Sequence, residues 1–459
     1  MRDHIFRAYD IRGIVGQDFD KNDARLIGMA YATYLKKNKK LPLKVVVGRD
    51  GRVHSPEIHK AFMLGVCECG VDVYDIGLSA SPLMNFSVCY GDFDGGVNIT
   101  ASHNPKDYNG FKLQKKHAHS IFGEQIAEIA EIVKNEDFSK EDKKGEIIEA
   151  DFVQEWYQKI SELVQIKLKP KVVVDAGNGV MGAFVEDFFT KIGVDIVPLY
   201  CEVDGNFPNH EANPEEEENL YDLKQKIAEE NADLGIAFDG DGDRVGVVDK
   251  NGVHYSADLL LILLARDLLS RHKGAKIVYD LKATKVLDDE VRKLGGVAIP
   301  CKTGHSFIEG KMTEEKALLG GEVSGHLFFA EDYYGFDDAL LGACKLIQII
   351  ADSGKTPTEL LTDLPKTYVT PEMKVKIKES HKFDVMDRII AHFTEKYPEK
   401  FLTIDGVKID HDDGSWGIVR ASNTSAYLTL RFEARSTERL EEIKNEFLDH
   451  LKTYQEISF

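Results

Sequence analysis

"KVVVGRDGR" (44–52) sets three valines behind a lysine and then breaks into a polar turn. Consecutive β-branched apolar residues make a strand, and the Gly-Arg-Asp-Gly run ends it in a loop. An apolar, helix-like stretch follows and leads to "GVDVYDIG" (70–77). The pattern returns twice: "KVVVDAGNGV" (171–180) leads to "GVDIVPLY" (193–200), and "KIVYDLKAT" (276–284) leads to "LGGVAIPCKTG" (294–304). From Lys44 to Gly70, Lys171 to Gly193 and Lys276 to Gly296 the separations are 26, 22 and 20 residues. Each is long enough for a strand, a crossover helix and a second parallel strand. Three such units in series predict three similar α/β domains with mixed, largely parallel sheets.

Polar stretches separate the units. "KNEDFSKEDKKGE" (134–146) is almost wholly charged or polar and reads as a linker, followed by an amphipathic helix over about 151–166. "SGKTPTELLTDLPKTYVTP" (353–371) carries three prolines and closes the third unit. The last 90 or so residues alternate apolar and polar around "SWGIVRASNTSAYLTLRFEA" (415–434) and end in a charged helix, which predicts a smaller α+β domain. The expected division is 1–150, 151–254, 255–367 and 368–459, with the domains arranged around a central cleft.

The chain has 459 residues, too long for one core. Its 58 basic against 78 acidic side chains give a formal charge of −20, which argues against nucleic acid or an anionic membrane as partner. The longest strongly apolar run, "LLLILLA" (259–265), is too short to cross a bilayer, and "MRDHIF" has no apolar stretch of the signal-peptide kind. The six cysteines form no paired motif, as expected of reduced thiols in a cytoplasmic protein.

"LGIAFDGDGDRVGVVD" (234–249) is the strongest chemical signal. Asp239, Asp241 and Asp243 alternate with glycines between two apolar strands. Three carboxylates this close repel one another unless a cation or a proton relieves them, and hard oxygen ligands suit Mg²⁺ or Ca²⁺. An EF-hand is excluded, because its sixth position would be Arg244 and its twelfth Lys250. Three aspartates do not complete an octahedral shell, so a phosphate oxygen is the expected further ligand, with Arg244 sharing its charge. "ITASHNPKDYNGFK" (99–112) offers a source. A phosphorylated Ser102 would present oxygens to the ion and carry a transferable group, and His103 could orient it. Alone, the same loop reads equally as a solvated turn.

Together these stretches resemble the α-D-phosphohexomutases, within them the phosphomannomutase/phosphoglucomutase group, along essentially the whole chain. The resemblance implies a phosphoserine at Ser102 in "TASHNP" and Mg²⁺ on Asp239, Asp241 and Asp243 in "DGDGDR". It implies a sugar-specificity loop in "GGEVSGHLFF" (320–329), where Glu322 and Ser324 would grip vicinal hydroxyls and His326 would add a polar contact. It also implies a phosphate-binding loop in "RASNTS" (420–425), with Arg420, Ser422, Asn423 and Thr424 as donors. "FRAYDIRG" (6–13) resembles the family's N-terminal signature and would supply Arg12. Lys112, Lys282 in "YDLKAT" and His305 in "KTGHSFI" would likewise reach the site. The phosphate loop departs from the family in lacking a common Thr-Pro pair.

The reaction so implied moves a phosphoryl group between O6 and O1 of a hexose phosphate, mannose or glucose, through a hexose 1,6-bisphosphate that also serves as activator. Lys112 and His305 both stand as the general base. Small sugar phosphates are the expected partners, and the chain is expected as a monomer or homodimer. A phosphoglucosamine mutase is an alternative, against which Val323 stands where a glutamine is typical. A phosphatase and a non-catalytic sugar-phosphate-binding homologue are the rivals of other classes.

Overall fold

A computed structural model describes residues 1–37, 42–422 and 426–458. Asn423 and Thr424 lie outside the described residues. The first sheet holds β1 (Ile11–Ile14), β2 (Lys44–Arg49), β3 (Asp72–Leu78), β4 (Gly95–Ile99), β5 (Tyr108–Lys115), β6 (His119–Ser120) and β7 (Ile147–Glu149). Its order is β1-β5-β4-β2-β3-β7, with β6 beside β5. The second, in the order β12-β11-β10-β8-β9, is made of β8 (Lys171–Asp175), β9 (Asp195–Leu199), β10 (Leu234–Phe238), β11 (Val245–Asp249) and β12 (His254–Tyr255). The third runs β14-β13-β15-β16, from β13 (Lys276–Asp280), β14 (Val297–Cys301), β15 (Leu319–Gly321) and β16 (Leu327–Phe329).

The predicted repeat is present in all three. β2 and β3, β8 and β9, and β13 and β14 are parallel pairs. The crossover helices are Ser55–Glu68, Val185–Lys191 and Lys285–Lys293. On the other side of β2, β8 and β13 lie β4, β10 and β15, again parallel. Each of these then turns into an antiparallel neighbour: β5, β11 or β16. The turn after β4 carries Ser102, the turn after β10 carries the aspartates, and the turn after β15 carries Glu322 and Ser324. The three loops singled out by chemistry therefore occupy one topological position.

The fourth sheet is antiparallel. It contains β17 (Tyr368–Val369), β18 (Met373–Ile377), β19 (Phe401–Leu402), β20 (Val407–Asp410), β21 (Trp416–Ala421), β22 (Tyr427–Ala434) and β23 (Ile457–Ser458), with two long helices, Lys382–Lys396 and Thr437–Leu451. One apolar core runs from Val46 through Val174 and Ile236 to Ile277 and Leu340, joining the first three domains. The fourth has its own core around Phe393, Phe432 and Phe447. It meets the third through a small contact of Leu281, Trp416 and Ile418.

The segment 134–146 is not a plain linker. Lys134 and Asn135 end a helix, the chain folds back so that Gly145 N–H donates to Cys67 O, and β7 then joins the edge of the first sheet. Charge composition alone did not show this, because the ties are made by the backbone and by Lys36, which reaches Ser139 O. All six cysteines are free thiols. No helix among the described residues is long and apolar enough to cross a membrane.

Helices Lys21–Lys36 and Ser55–Glu68 cross in close contact on the first sheet. A Cβ on Gly28 would stand 2.2 Å from Phe62 O, and one on Gly65 would stand 2.0 Å from Arg25 O. Both clashes are with backbone, which cannot rotate away. Gly65→Ala should therefore destabilise this domain by about 1–3 kcal/mol, seen as a lower midpoint of its calorimetric transition. An unchanged midpoint would contradict the close approach.

Candidate active site

A cleft of about 300 Å³ opens where the four domains meet. Its lining includes Arg12, Ser102, His103, Lys112, Arg244, Lys282, His305, Glu322, Ser324, His326, Arg420 and Ser422, so every predicted site residue is there except the aspartates and the two outside the described residues. The aspartates lie just beneath its floor, fully buried.

The serine loop starts where β4 ends. Ser102 has a φ of +49°, the left-handed region that a non-glycine residue seldom adopts. Its N–H donates to Thr100 Oγ1 at 2.9 Å. The hydroxyl donates to Asp239 Oδ2 at 2.7 Å and lies 3.1 Å from His103 Nδ1. The turn of the second domain comes this close because residue 240 is glycine: a Cβ there would stand 2.4 Å from Ser102 O.

The acidic turn wraps around its first carboxylate. Asp239 Oδ1 accepts from the N–H groups of Gly242, Asp243 and Arg244 at 3.0, 3.1 and 3.2 Å. Asp241 Oδ2 accepts from Ser81 Oγ at 2.6 Å and from Lys112 Nζ at 2.7 Å, and Lys112 also donates to Asp243 Oδ2. Burial, and then the charges of Asp243 and Asp241, push Asp239 up to about 8. Burial opposes the charge on Lys112, but Asp241 and Asp243 outweigh it and raise its pKa. One lysine thus bridges two of the three carboxylates. Asp241 Oδ1 and Asp243 Oδ1 are buried without any hydrogen-bond partner. One oxygen from each aspartate falls in a group within 4.8 Å of one another. Buried, unpartnered, hard oxygens converging in this way suit a divalent cation.

Arg12 is held by Asp10, 2.5 Å from Nη2, and by Asn104, whose Oδ1 accepts from Nη1 at 2.7 Å. Arg244 donates from Nε to His326 Nε2 at 3.0 Å, while His326 Nδ1 lies 2.7 Å from Asp337 Oδ2. An Arg N–H can only donate, so Nε2 accepts and the ring proton sits on Nδ1 facing Asp337. Both nitrogens of His326 are therefore engaged with protein. His326 also lines the cleft, and it fixes Arg244 there. His305 begins the helix His305–Glu315, and its ring stacks on His326 at 5.5 Å. Burial first, then His326 and Lys112, push His305 well below its ordinary pKa; burial, Arg244 and Arg12 do the same to His103.

On the opposite wall, Glu322 Oε2 and Ser324 Oγ are buried with no protein partner and line the cleft. Gly325, with φ +103°, makes that turn possible. Arg420 Nε donates to Asp405 Oδ2 at 2.7 Å, and the same oxygen accepts from Thr303 N at 3.2 Å, tying the fourth domain to the third. Lys282 pairs with Glu372 at 2.9 Å across the same seam.

Several lining residues were not foreseen: Arg7, Tyr9, Asp10, Asn104, Glu372, Lys374 and Tyr427. Tyr9 and Asp10 sit inside "FRAYDIRG", beside Arg12 on the cleft wall. Tyr427 is half-buried on the cleft wall. Nothing in the sequence pattern marks Glu372, which a proline-rich connection delivers.

Four family profiles match in sequence order. Alpha/beta/alpha domains I, II and III of phosphoglucomutase/phosphomannomutase match residues 3–140, 150–252 and 256–368, and the family's C-terminal domain matches 372–450. A phosphomannomutase/phosphoglucomutase of Pseudomonas aeruginosa is 41% identical over 449 residues, 98% of this chain and 95% of that one. A phosphoglucomutase of Neisseria meningitidis is 40% identical over 444 residues, 96% and 95% of the two chains. The crystal structure of a phosphoglucomutase/phosphomannomutase family protein from Burkholderia thailandensis superposes with a TM-score of 0.92 at 37% identity, covering 99% of this chain and 98% of that chain. With four domains in the family's order and its reactive loops gathered in one cleft, the chain belongs to the phosphoglucomutase/phosphomannomutase family.

Proposed function

We propose that this chain interconverts hexose 6-phosphate and hexose 1-phosphate, of mannose and glucose, by way of a phosphoserine at Ser102 and a hexose 1,6-bisphosphate. The observation that carries the reading is the Ser102 hydroxyl, 2.7 Å from the buried aspartate turn, facing a second cationic site across the same cleft. A phosphatase needs only the first of these. The Pseudomonas and Neisseria relatives, named for mannose and glucose phosphates, support those two sugars. We further assign the domains to 1–150, 151–254, 255–367 and 368–459, and expect a cytoplasmic monomer or homodimer.

In the forward step the Ser102 Oγ–P bond breaks as a bond forms from phosphorus to the hexose oxygen. The proton of that sugar hydroxyl passes to a base. Lys112 and His305 both line the cleft and are the candidates to accept it. Asp239, Asp241 and Asp243 would hold Mg²⁺, which when bound withdraws charge from the serine oxygen. Arg12, Arg244 and Lys112 offset the charge spread over the moving phosphoryl oxygens, and His103 orients them. Glu322 and Ser324 grip ring hydroxyls through the oxygens the protein leaves unpartnered. Lys282 and Arg420, with Ser422, Asn423 and Thr424, hold the phosphate that is not in transfer. The bisphosphate then turns end for end, and its other phosphoryl group returns to Ser102.

Assay of mannose and glucose 1-phosphates with a bisphosphate activator and Mg²⁺ should show 6-phosphates forming without free phosphate. Accumulation of inorganic phosphate instead would favour a phosphatase, and turnover of glucosamine phosphate alone would favour the amino-sugar alternative. Ser102→Ala should lower kcat by about 10³-fold or more with the fold intact. Asp241→Asn should raise the Mg²⁺ concentration needed for half-maximal rate, and a metal-independent rate in the parent protein would contradict the metal assignment. Glu322→Gln should raise KM for the hexose phosphate by about tenfold, from the loss of a charged hydrogen bond to the sugar.

A further inference from the structure

Arg52 closes the first repeat, in "GRDGR", and the chemistry above makes no use of it. The side chain is 1% exposed, and all five of its N–H donors are matched. Nη2 donates to the carbonyls of Ser102 at 2.7 Å and Asn104 at 2.6 Å, and Nη1 to those of Pro105 at 2.7 Å and Tyr108 at 3.1 Å. Nε donates to Asp50 Oδ2 at 3.1 Å. Asp50 is itself fixed, since its Oδ1 accepts from Arg52 N at 3.0 Å and from Ser55 Oγ at 2.6 Å. One buried guanidinium thus gathers four carbonyls of the turn that carries Ser102, the serine's own among them.

The second domain caps this cation. The Phe207 ring centroid lies 5.1 Å from the guanidinium carbon, within cation–π range. The capping loop comes near because two glycines lack side chains. A Cβ on Gly51 would stand 2.2 Å from Val203 Cγ1, and one on Gly205 would stand 2.5 Å from Val53 N. Phe207 also reaches the acidic turn, its Cζ 3.8 Å from where a Cβ on Gly240 would be. Arg52 and Phe207 therefore touch both loops that must meet, one from each domain.

We propose that Arg52, capped by Phe207, is a positioning residue that fixes the Ser102 hydroxyl over the aspartate turn and so sets the rate of phosphoryl transfer without touching the sugar. The proposal rests on the reading of Ser102 as phosphoryl carrier. A planar fork with five donors spans four carbonyls, whereas a lysine ammonium has three donors on a single point and cannot. The groups assigned to the sugar and the distal phosphate stand on the third and fourth domains, away from this clamp.

Arg52→Lys should lower kcat by about 100-fold, the scale of an ångström-level misplacement of a reacting group, with KM for glucose 1-phosphate unchanged. The rate at which Ser102 gains a phosphoryl group from glucose 1,6-bisphosphate, read by intact mass, should fall by the same factor. Phe207→Leu keeps apolar cover but loses the ring face, and should show a smaller fall of the same kind. Wild-type kcat in folded Arg52→Lys, or a loss carried equally by KM, overturns the proposal. If Arg52→Lys does not fold, Phe207→Leu decides: an unchanged kcat and phosphorylation rate there overturns it. Ser102→Ala assayed alongside separates the two ideas. Activity in Ser102→Ala removes the phosphoserine reading itself, while an inactive Ser102→Ala beside a fully active Arg52→Lys removes the role of Arg52 alone.

Discussion

Three carboxylates buried beside one ammonium are the constraint on which this structure turns. Asp239, Asp241 and Asp243 carry more negative charge than Lys112 offsets, and the imbalance is expressed as two buried carboxylate oxygens without partners and an aspartate that resists ionisation. Burying unpaired charge is costly, so a chain keeps such a cluster only where something else completes it. A divalent cation and the phosphate on a neighbouring hydroxyl would do so together. Ser81 and Ser102 both reach the turn, but it is Ser102 that lines the cleft, and it is there because two domains press their loops together across a glycine.

The first three domains solve a shared problem with one topology. In each, a central strand is flanked by a crossover partner on one side and a hairpin on the other, and the hairpin's turn faces the cleft. Copies of one unit thus present three different chemistries from equivalent positions: a hydroxyl, a cluster of buried carboxylates, and a carboxylate–hydroxyl pair left unpartnered by protein. A continuous apolar core joins these domains, so the three turns are held in fixed relation. The fourth domain has a core of its own and is joined by one small apolar contact and by polar ties, Lys282 to Glu372, Thr284 to Glu433 and Arg420 through Asp405 to Thr303. A seam of this kind can part and re-form at lower cost than the apolar junctions, which suits a ligand that must turn over inside the cleft.

Much of this was legible in the linear chain because it is local. Apolar β-rich runs ending in polar turns mark the three repeats, and alternating Asp and Gly between apolar strands marks the acidic turn without reference to anything distant. What escaped is what long-range contact decides. The charged stretch 134–146 reads as a linker, yet it returns to the first sheet through backbone bonds that composition does not encode. The hold of His326 on Arg244 is not visible either, since its ring nitrogens meet Asp337, eleven residues on, and Arg244, from another domain. Arg52 carries no mark of its role in the sequence. Its meaning appears only when the carbonyls of Ser102, Asn104, Pro105 and Tyr108 are folded around it. Glu372 is invisible in the same way, since its partner Lys282 is ninety residues away.

The most direct test of the central claim is a crystal structure of the protein grown with Mn²⁺ after treatment with glucose 1,6-bisphosphate, with anomalous difference density locating the ion. The account predicts a single strong peak enclosed by Asp239, Asp241 and Asp243, phosphate density on the Ser102 oxygen beside it, and Lys112 withdrawn from its two aspartates. An ion bound elsewhere, with Lys112 still bridging Asp241 and Asp243 and Ser102 unmodified, would contradict it.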